Sequence, residues 1–529
     1  MSGSLRRTMA ALHTWSGLTV GWVLYAIFIT GTLSYFRTEI SHWMRPELLD
    51  ARPSEDWSAL AIRLLQERAP DSPRWAITPP QARDPVLRVA WMAVPKRGEP
   101  NRLLGRFETL TLDPSTGAAL TPRQTHGGDF LQRFHFELGM KPQWGRWLVG
   151  FCAMSMLVAI LSGIIVHKQI FKNLFTFRPH KGPRSWLDAH NVAGVLALPY
   201  HVLITYSGLL TLMLIYMPSG VQASYKYDPG AFLMEAFPNP PQASRVGRSA
   251  ALAPIEPLLQ EAARRWGVDA APASITIDHP NDEGARVQML RHALGRVSNN
   301  AQTITFDAVS GEPIAVTPQE SATMRAYGAL YGLHLAHFAP ISLRWAFLLS
   351  GLLGAAMVAS GLVLWAVKRR PDPDRTDAWP LGHRLVEVLN VGTIVGIPIA
   401  VAAYFWANRL LPVALAGRAA WEVRCFFAAW AISHAAALLQ GGHKAWRTQL
   451  AVCALLFGLL PLVNALTTPA SLNVTLLRGP GVYAGFDLAM FSVAMLFALA
   501  AWHVSRRSPA GWRPATVSST PKAILQEQD

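Results

Sequence analysis

The stretch LDAHNVAGVLALPYHVLI, residues 187–204, is apolar enough to enter a membrane, yet it contains two histidines, His190 and His201. In a continuous α-helix, eleven residues make about three turns and rise about 16 Å. The two imidazoles should therefore lie on one face of the helix at two different depths. Ionisable side chains inside a membrane span are costly and usually functional. The stretch thus predicts a membrane protein with a functional site within the bilayer.

Apolar segments recur along the whole chain of 529 residues, which is 51% hydrophobic and only 15% charged. Runs of about 18 to 25 residues without interior charges are typical of membrane-spanning helices. Eight such runs occur, at about 14–36, 147–166, 187–217, 345–367, 385–406, 421–439, 449–466 and 484–504. We therefore predict an α-helical polytopic membrane protein with about eight transmembrane helices that contacts the lipid bilayer.

Lysine and arginine cluster beside alternate ends of these spans, which predicts their orientation because positive loops stay in the cytoplasm. The clusters lie on one side if both termini are cytoplasmic; they comprise Arg6, Arg7, Lys168, Lys172, Arg178, Lys181, Arg184, Lys368, Arg369, Arg370, Arg375, Lys444, Arg447, Arg506 and Arg507. The formal net charge of +15 is thereby explained by membrane topology, and we expect no nucleic-acid partner.

Two long polar insertions separate the early spans, and both are placed on the non-cytoplasmic side by the charge rule. Each reads as a helix followed by strands, and LTLDPSTGAAL at 110–120 matches ITFDAVSGEPI at 304–314. We expect two α+β domains between spans one and two and between spans three and four. The predicted division is 1–36 (first span), 37–143 (first outer domain), 144–217 (spans two and three with a basic loop), 218–340 (second outer domain), 341–370 (fourth span) and 371–529 (an additional four-span module).

Three short motifs and one longer segment indicate a family resemblance. They are LHTW at 12–15, GRW at 145–147, LRW at 343–345 and HKQIFKNLFTFRPHKGPRSWLDAHNV at 167–192. With the repeat, they resemble the long form of the PepSY-associated transmembrane helix family over about residues 5–370. Some members are ferric-siderophore reductases of the bacterial inner membrane that carry b-type haem. The resemblance implies periplasmic PepSY-like domains, an inner-membrane location and haem b as the cofactor, with two haems expected.

A first haem is expected near the cytoplasmic surface, between His13 and His190, which are repeat partners at matching depth. Each imidazole would supply its Nε2 as an axial ligand. His167, at the end of the second span, competes for the same role, although it also fits a headgroup-level residue. Arg178 could hold haem propionates through charge-assisted hydrogen bonds, and a positive-inside loop explains it equally well.

A second haem is expected deeper in the membrane at His201, which lies about 20 Å from the cytoplasmic boundary. Its partner would come from the outer side, and His334 is preferred over His135 and His337. His135 and His334 occupy corresponding places before the second and fourth spans, where Pro142 and Pro340 allow short amphipathic helices. A structural hydrogen bond from His201 to Thr205 or Ser207 is the alternative.

Together these features predict a haem-containing oxidoreductase that moves electrons across the inner membrane to a periplasmic ferric siderophore. The donor is left open between a quinol and a cytoplasmic reductase, and the sequence assigns no catalytic residue. A membrane-anchored regulator that binds a peptide or protease is one alternative. A transporter is the other, since the repeat and the extra spans suit it.

Overall fold

The computed structural model describes residues 3–94, 106–167, 177–179, 181–237, 243–267, 271–318, 320–370, 380–477 and 479–506. The basic residues Lys168, Lys172, Arg375 and Arg507 of the topology prediction lie outside these ranges.

Helices make up most of the described chain. In chain order they are α1 (Gly3–Ser34), α2 (Arg37–Trp43), α3 (Trp57–Arg68), α4 (Gly127–Glu137), α5 (Pro142–Val166), α6 (Pro183–Leu196), α7 (Leu198–Thr211), α8 (Met213–Tyr216), α9 (Ser219–Ser224), α10 (Pro229–Ala236), α11 (Ile255–Trp266), α12 (Ala322–Leu335), α13 (Ile341–Lys368), α14 (Leu381–Ile394), α15 (Gly396–Leu410), α16 (Arg418–Gln440), α17 (Gly442–Thr467), α18 (Leu472–Leu477) and α19 (Gly481–Ser505). A 3₁₀ turn (Pro46–Leu48) follows α2.

Within the described residues, seven helices are long and apolar enough to cross a membrane. They are α1, α5, α13, α14 continued by α15, α16, α17 and α19. The pair α6 and α7 passes the same test together and brings the total to eight spans if it is counted as one. The chain is therefore a multi-pass membrane protein, as predicted.

The third span is bent rather than straight, which corrects the geometry expected for residues 187–204. Helices α6 and α7 meet at an angle of 68° around Ala197. Pro199 explains the break, because proline has no backbone N–H to donate and its ring clashes with the preceding turn. His190 and His201 consequently lie on two differently directed helices and do not share one face.

The strands of both insertions form one continuous antiparallel sheet. The strands are β1 (Arg74–Thr78), β2 (Leu87–Met92), β3 (Phe107–Leu112), β4 (Ala119–Leu120), β5 (Pro272–Asp278), β6 (Arg286–Arg291), β7 (Thr303–Asp307) and β8 (Pro313–Val316). Their order is β4-β3-β2-β1-β5-β6-β7-β8, and β1 pairs with β5 so that Trp75 lies opposite Ile277. The two outer domains expected from the sequence are therefore two halves of a single eight-stranded sheet.

One face of this sheet holds the outer hydrophobic core. Alternate residues of the two central strands, Trp75, Ile77, Ile275 and Ile277, are almost completely buried. They pack with the apolar sides of α3 and α11, as the period-two alternation requires. The repeated turn is also confirmed. Asp113 and Asp307 accept backbone N–H bonds at the same place in each half.

Helix α1 is the centre of the membrane bundle. It packs against α5 on one side and α13 on the other, and α13 also packs against α6. The short helix α4 packs against α1, α2 and α5, while α12 packs against α7. A short helix followed by a span therefore occurs twice, as α4 with α5 and as α12 with α13. We call the end of the bundle next to the β-sheet the sheet side and the opposite end, where α1 begins, the terminal side.

The C-terminal spans are joined to the sheet side by buried charged side chains. Arg418 and Glu422 are fully buried and form an ion pair, and Asn408 Nδ2 donates to Glu422 at 2.8 Å. Trp43 Nε1 donates to Asp487 at 2.9 Å. Because this last bond joins α2 to α19, the C-terminal module is fastened to the first half of the chain.

Replacing Arg418 by methionine should destabilise the protein by about 3–5 kcal/mol, because Glu422 would be left as an unpaired charge in the interior. Thermal unfolding of the detergent-purified protein would measure the loss. Adding Glu422→Leu should restore much of it. Arg264→Met is the control: Arg264 pairs with Glu261 but is 76% exposed, so no measurable shift is expected. Equal shifts of the unfolding temperature in Arg418→Met and Arg264→Met would contradict this account.

Candidate functional site: two histidine pairs

Four histidines from four helices form two pairs inside the bundle. The ring centres of His13 and His190 lie 5.9 Å apart, and those of His135 and His334 lie 6.1 Å apart. Two imidazoles that bind one metal ion from opposite sides, at about 2.0 Å per metal–nitrogen bond, have ring centres about 6 Å apart. Both pairs thus have the spacing of axial ligands around a single ion.

Hydrogen bonds fix the tautomer of the first pair. His13 Nδ1 lies 2.8 Å from the Ala159 carbonyl oxygen, and His190 Nδ1 lies 2.7 Å from that of Met357. A carbonyl oxygen only accepts, so each Nδ1 must carry the hydrogen. The Nε2 atom of each ring therefore keeps its lone pair. Metal-binding histidines commonly have this arrangement, because the bond to Nδ1 orients the ring and strengthens Nε2 as a donor.

The second pair is held in a similar way. His135 Nδ1 lies 2.8 Å from the Ile27 carbonyl oxygen. His334 Nδ1 lies 3.1 Å from Ser207 Oγ, with the Ile204 carbonyl close to the same ring. Both rings are again held through Nδ1, which leaves Nε2 available.

A glycine stands beside each of the four imidazoles, always four residues after the carbonyl that the ring approaches. A Cβ added at Gly31 would lie 2.5 Å from His135 Nδ1, and one at Gly208 would lie 2.9 Å from His334 Cε1. The absence of a side chain at each glycine gives the ring room, and the contact is closest at Gly31 and Gly208. The pairs of carbonyl residue and glycine are Ala159 and Gly163, Met357 and Gly361, Ile27 and Gly31, and Ile204 and Gly208.

Each histidine pair lines its own cavity. The terminal-side cavity, around His13 and His190, has a volume of about 950 Å³. The sheet-side cavity, around His135 and His334, has about 440 Å³. Both volumes are in the range of small-molecule sites. On α1, His13 and Ile27 mark the two levels; the 14 residues between them (27 − 13) correspond to about 21 Å, so the two sites lie at different depths of the bundle.

Positively charged side chains line the terminal-side cavity, including Arg6, Arg184, Lys368 and Arg369. Arg178 also lines it, but its guanidinium is bound to Asp188 through contacts of 2.8 and 2.7 Å. The guanidinium of Arg178 thus binds a carboxylate of the protein itself, whereas the sequence suggested that it could bind a haem propionate. The other cations are better placed to meet an anionic group there.

His201 does not join either pair, contrary to the sequence-based pairing with His334. The residue is fully buried, and neither ring nitrogen has a hydrogen-bond partner among the described residues. The carbonyls of Gly194 and Ser350 lie near the ring, and Phe28 contacts it at 6.1 Å between ring centres. His201 lines the terminal-side cavity and Phe28 the sheet-side one, so the two rings lie between the sites.

The remaining candidates lie at the edges of the cavities. His167 lines the terminal-side cavity, and its Nε2 is buried without a partner in the described part of the chain. His337 lines the sheet-side cavity, beyond the end of α12. Neither ring forms part of a pair.

The internal repeat could have predicted the second pair, because paired histidines occupy corresponding positions in its two halves. His13 and His190 correspond in the repeat, and they pair. His135 and His334 also correspond, and they pair in the same way. The glycines were missed, because their role depends on contacts between different helices.

The two short helices that carry the second pair are held by different parts of the protein. On α4, Phe130 and Phe134 pack against Phe426 of α16, and Tyr404 donates to the Gly127 carbonyl at 3.0 Å. On α12, the loop between β6 and β7 lies directly on the helix, where Asn300 Nδ2 donates to the Met324 carbonyl at 2.8 Å. The C-terminal module therefore positions His135, and the outer sheet positions His334.

The donor set fits a haem better than a metal ion held by the protein alone. Each site offers two imidazole rings about 6 Å apart, and two histidines can hold a haem iron because the porphyrin supplies its other ligands. Among the described residues no group of three or more histidine, cysteine, aspartate or glutamate side chains could hold an ion. The residues present are those that would bind one haem in each cavity.

Comparison with known proteins assigns the chain to a family. A family model described as the PepSY-associated TM region matches residues 10–368, which is more than half of the chain and includes all four paired histidines. The chain belongs to the PepSY-associated TM region family. An uncharacterized protein of Pseudomonas aeruginosa is 28% identical over 382 residues, covering 68% of this chain and 91% of the relative. The PepSY-associated TM region thus contains both sites, and the spans from α14 onward follow it.

Proposed function

We propose that this PepSY-associated protein is a haem-containing reductase that carries electrons across the bacterial inner membrane to an acceptor on the sheet side. The observation that supports the proposal is the presence of two histidine pairs, each with its Nδ1 atoms held and about 6 Å between ring centres. They lie near opposite ends of α1, so that a bilayer core of about 30 Å is divided into shorter steps.

The cofactor in each cavity would be haem b, whose iron supplies the one-electron chemistry. His13 and His190 would hold one iron, and His135 and His334 the other. The Nδ1 hydrogen bonds orient these rings and strengthen Nε2 as a donor. Arg6, Arg184 and Lys368, which line the terminal-side cavity, would neutralise carboxylates there.

The direction of transfer follows from the proposed topology, with both termini in the cytoplasm and the sheet in the periplasm. A quinol or a cytoplasmic reductase would donate electrons at the terminal side. The acceptor would be a ferric siderophore, since iron reduced to the ferrous state is held less tightly by hard oxygen ligands and can be released.

A visible absorption spectrum of the detergent-purified protein, oxidised and dithionite-reduced, would test the proposal together with a pyridine haemochrome count. We expect reducible b-type bands and two haems per chain. A colourless protein, expressed with ample haem, would overturn the proposal. It would favour a peptide-binding regulator, for which the exposed edge strand β8, with Ile314 and Val316 about 44% and 43% exposed, offers a surface.

A further inference from the structure

Three arginines and two histidines from five segments lie together beside the sheet-side cavity, where an acceptor would have to approach. They come from α2, the β1–β2 loop, the segment after β6, the segment after α12 and the start of α13. The residues are Arg37, Arg83, His292, His337 and Arg344. His337 lines the cavity, and so does Gln132, whose side chain accepts a hydrogen bond from Arg37.

Acidic groups balance this charge only in part. Glu39 is the carboxylate at the centre, and it is shared by two arginines. Arg83 binds it through contacts of 2.9 and 2.7 Å, and Arg344 binds it at 2.6 Å. Asp129 lies 3.7 Å from Arg37 but is 69% exposed, so water screens its charge. Three arginines thus face one partly buried carboxylate and one exposed carboxylate, and an excess of positive charge remains.

The positive charge of the arginines contributes to lowering the pKa values of His337 and His292. Burial, and after it the positive charges of Arg37, Arg83 and His292, together lower the pKa of His337 to about 4. The pKa of His292 is also lowered, by burial and then by Arg83. Imidazoles that resist protonation are expected where the local potential is positive. An anion bound among these groups would be attracted by the same potential.

We propose that the electron acceptor docks at this basic cluster (Arg37, Arg83, His292, His337 and Arg344) as an anion, namely a ferric chelate with carboxylate or phenolate groups and a net negative charge. The inference rests on the proposed reductase function and specifies its substrate class. In the transfer, the iron of the chelate gains one electron from the sheet-side site and changes from Fe³⁺ to Fe²⁺. No covalent bond to the protein forms or breaks, and no proton is transferred.

Binding can be tested without any redox step by titrating the full-length protein with gallium(III) citrate, a redox-inert anionic chelate, in a calorimeter. We expect binding that weakens at least tenfold between 20 and 500 mM NaCl, as electrostatic recognition requires. Arg37→Glu should weaken it at least tenfold at low salt. The matched control is Arg264→Glu on α11, a side chain that is 76% exposed, which should bind as the unaltered protein does. Equal binding by both variants would overturn the proposal.

The kinetic arm compares acceptors of opposite charge. The reduced protein is mixed in a stopped-flow instrument with iron(III)-EDTA, an anion, or with hexaammineruthenium(III), a cation. Reoxidation by the anion should slow as salt is added and in Arg37→Glu, whereas reoxidation by the cation should not slow. The same salt response for both acceptors would contradict an anionic site. A protein that binds gallium(III) citrate but has no reducible bands would instead refute the reductase proposal and leave the anion site standing.

Discussion

His334→Ala is expected to remove one of the two haems, and His190→Ala to remove the other. Each substitution deletes one histidine of a different pair, so only one of the two proposed ligands would remain and that haem would be lost on purification. The double variant should be colourless. Pyridine haemochrome counts and reduced-minus-oxidised spectra of the purified variants would measure the losses.

His201→Ala and His337→Ala are the controls for this experiment. Both residues line a cavity, but neither ring belongs to a pair. Both variants should keep two haems per chain. If His201→Ala loses a haem while His135→Ala keeps two, the pairing described above is wrong and His201 is a ligand, as residues 187–204 alone suggested.

Gly31→Ala is expected to displace the His135 ring and so to empty the sheet-side site selectively. The added Cβ would lie 2.5 Å from His135 Nδ1, a distance that forces the ring to move. Overpacking of this kind costs about 1–3 kcal/mol. If the whole cost falls on cofactor binding, affinity drops about 5- to 150-fold. Haem titration of the purified apoprotein would give the affinity of each site.

A series of glycine substitutions makes this test sharper. The effect should decrease from Gly31→Ala to Gly208→Ala and then to Gly163→Ala, because the added Cβ would lie 2.5, 2.9 and 3.1 Å from the nearest imidazole atom. The third substitution should affect the terminal-side site. Gly485→Ala on α19 is the control, since open space surrounds its added Cβ. Equal haem affinity across the series would show that the glycines do not shape the sites.

The sequence predicted which histidines are candidates for the site, but only one of their two pairings. All four members of the two pairs were among the predicted ligands, because histidines in or beside membrane spans stand out against an apolar background. The match between His13 and His190 followed from the repeat. The second pair was not predicted, since His201 lies within a span, whereas His135 and His334 lie on helices that precede spans and reach the bundle only after folding.

The amino-acid sequence was enough to predict the membrane spans, the internal repeat, the turn motifs at Asp113 and Asp307 and the family. These depend on local properties: the hydropathy of about 20 residues, or the agreement of two short segments. The fold was needed to reveal the bend at Pro199, the pairing of β1 with β5, the ion pair of Arg178 with Asp188 and the partner of each histidine. Such features depend on how helices distant in the chain rotate and pack against each other. A glycine on one helix and an imidazole on another meet only when both helices are in place.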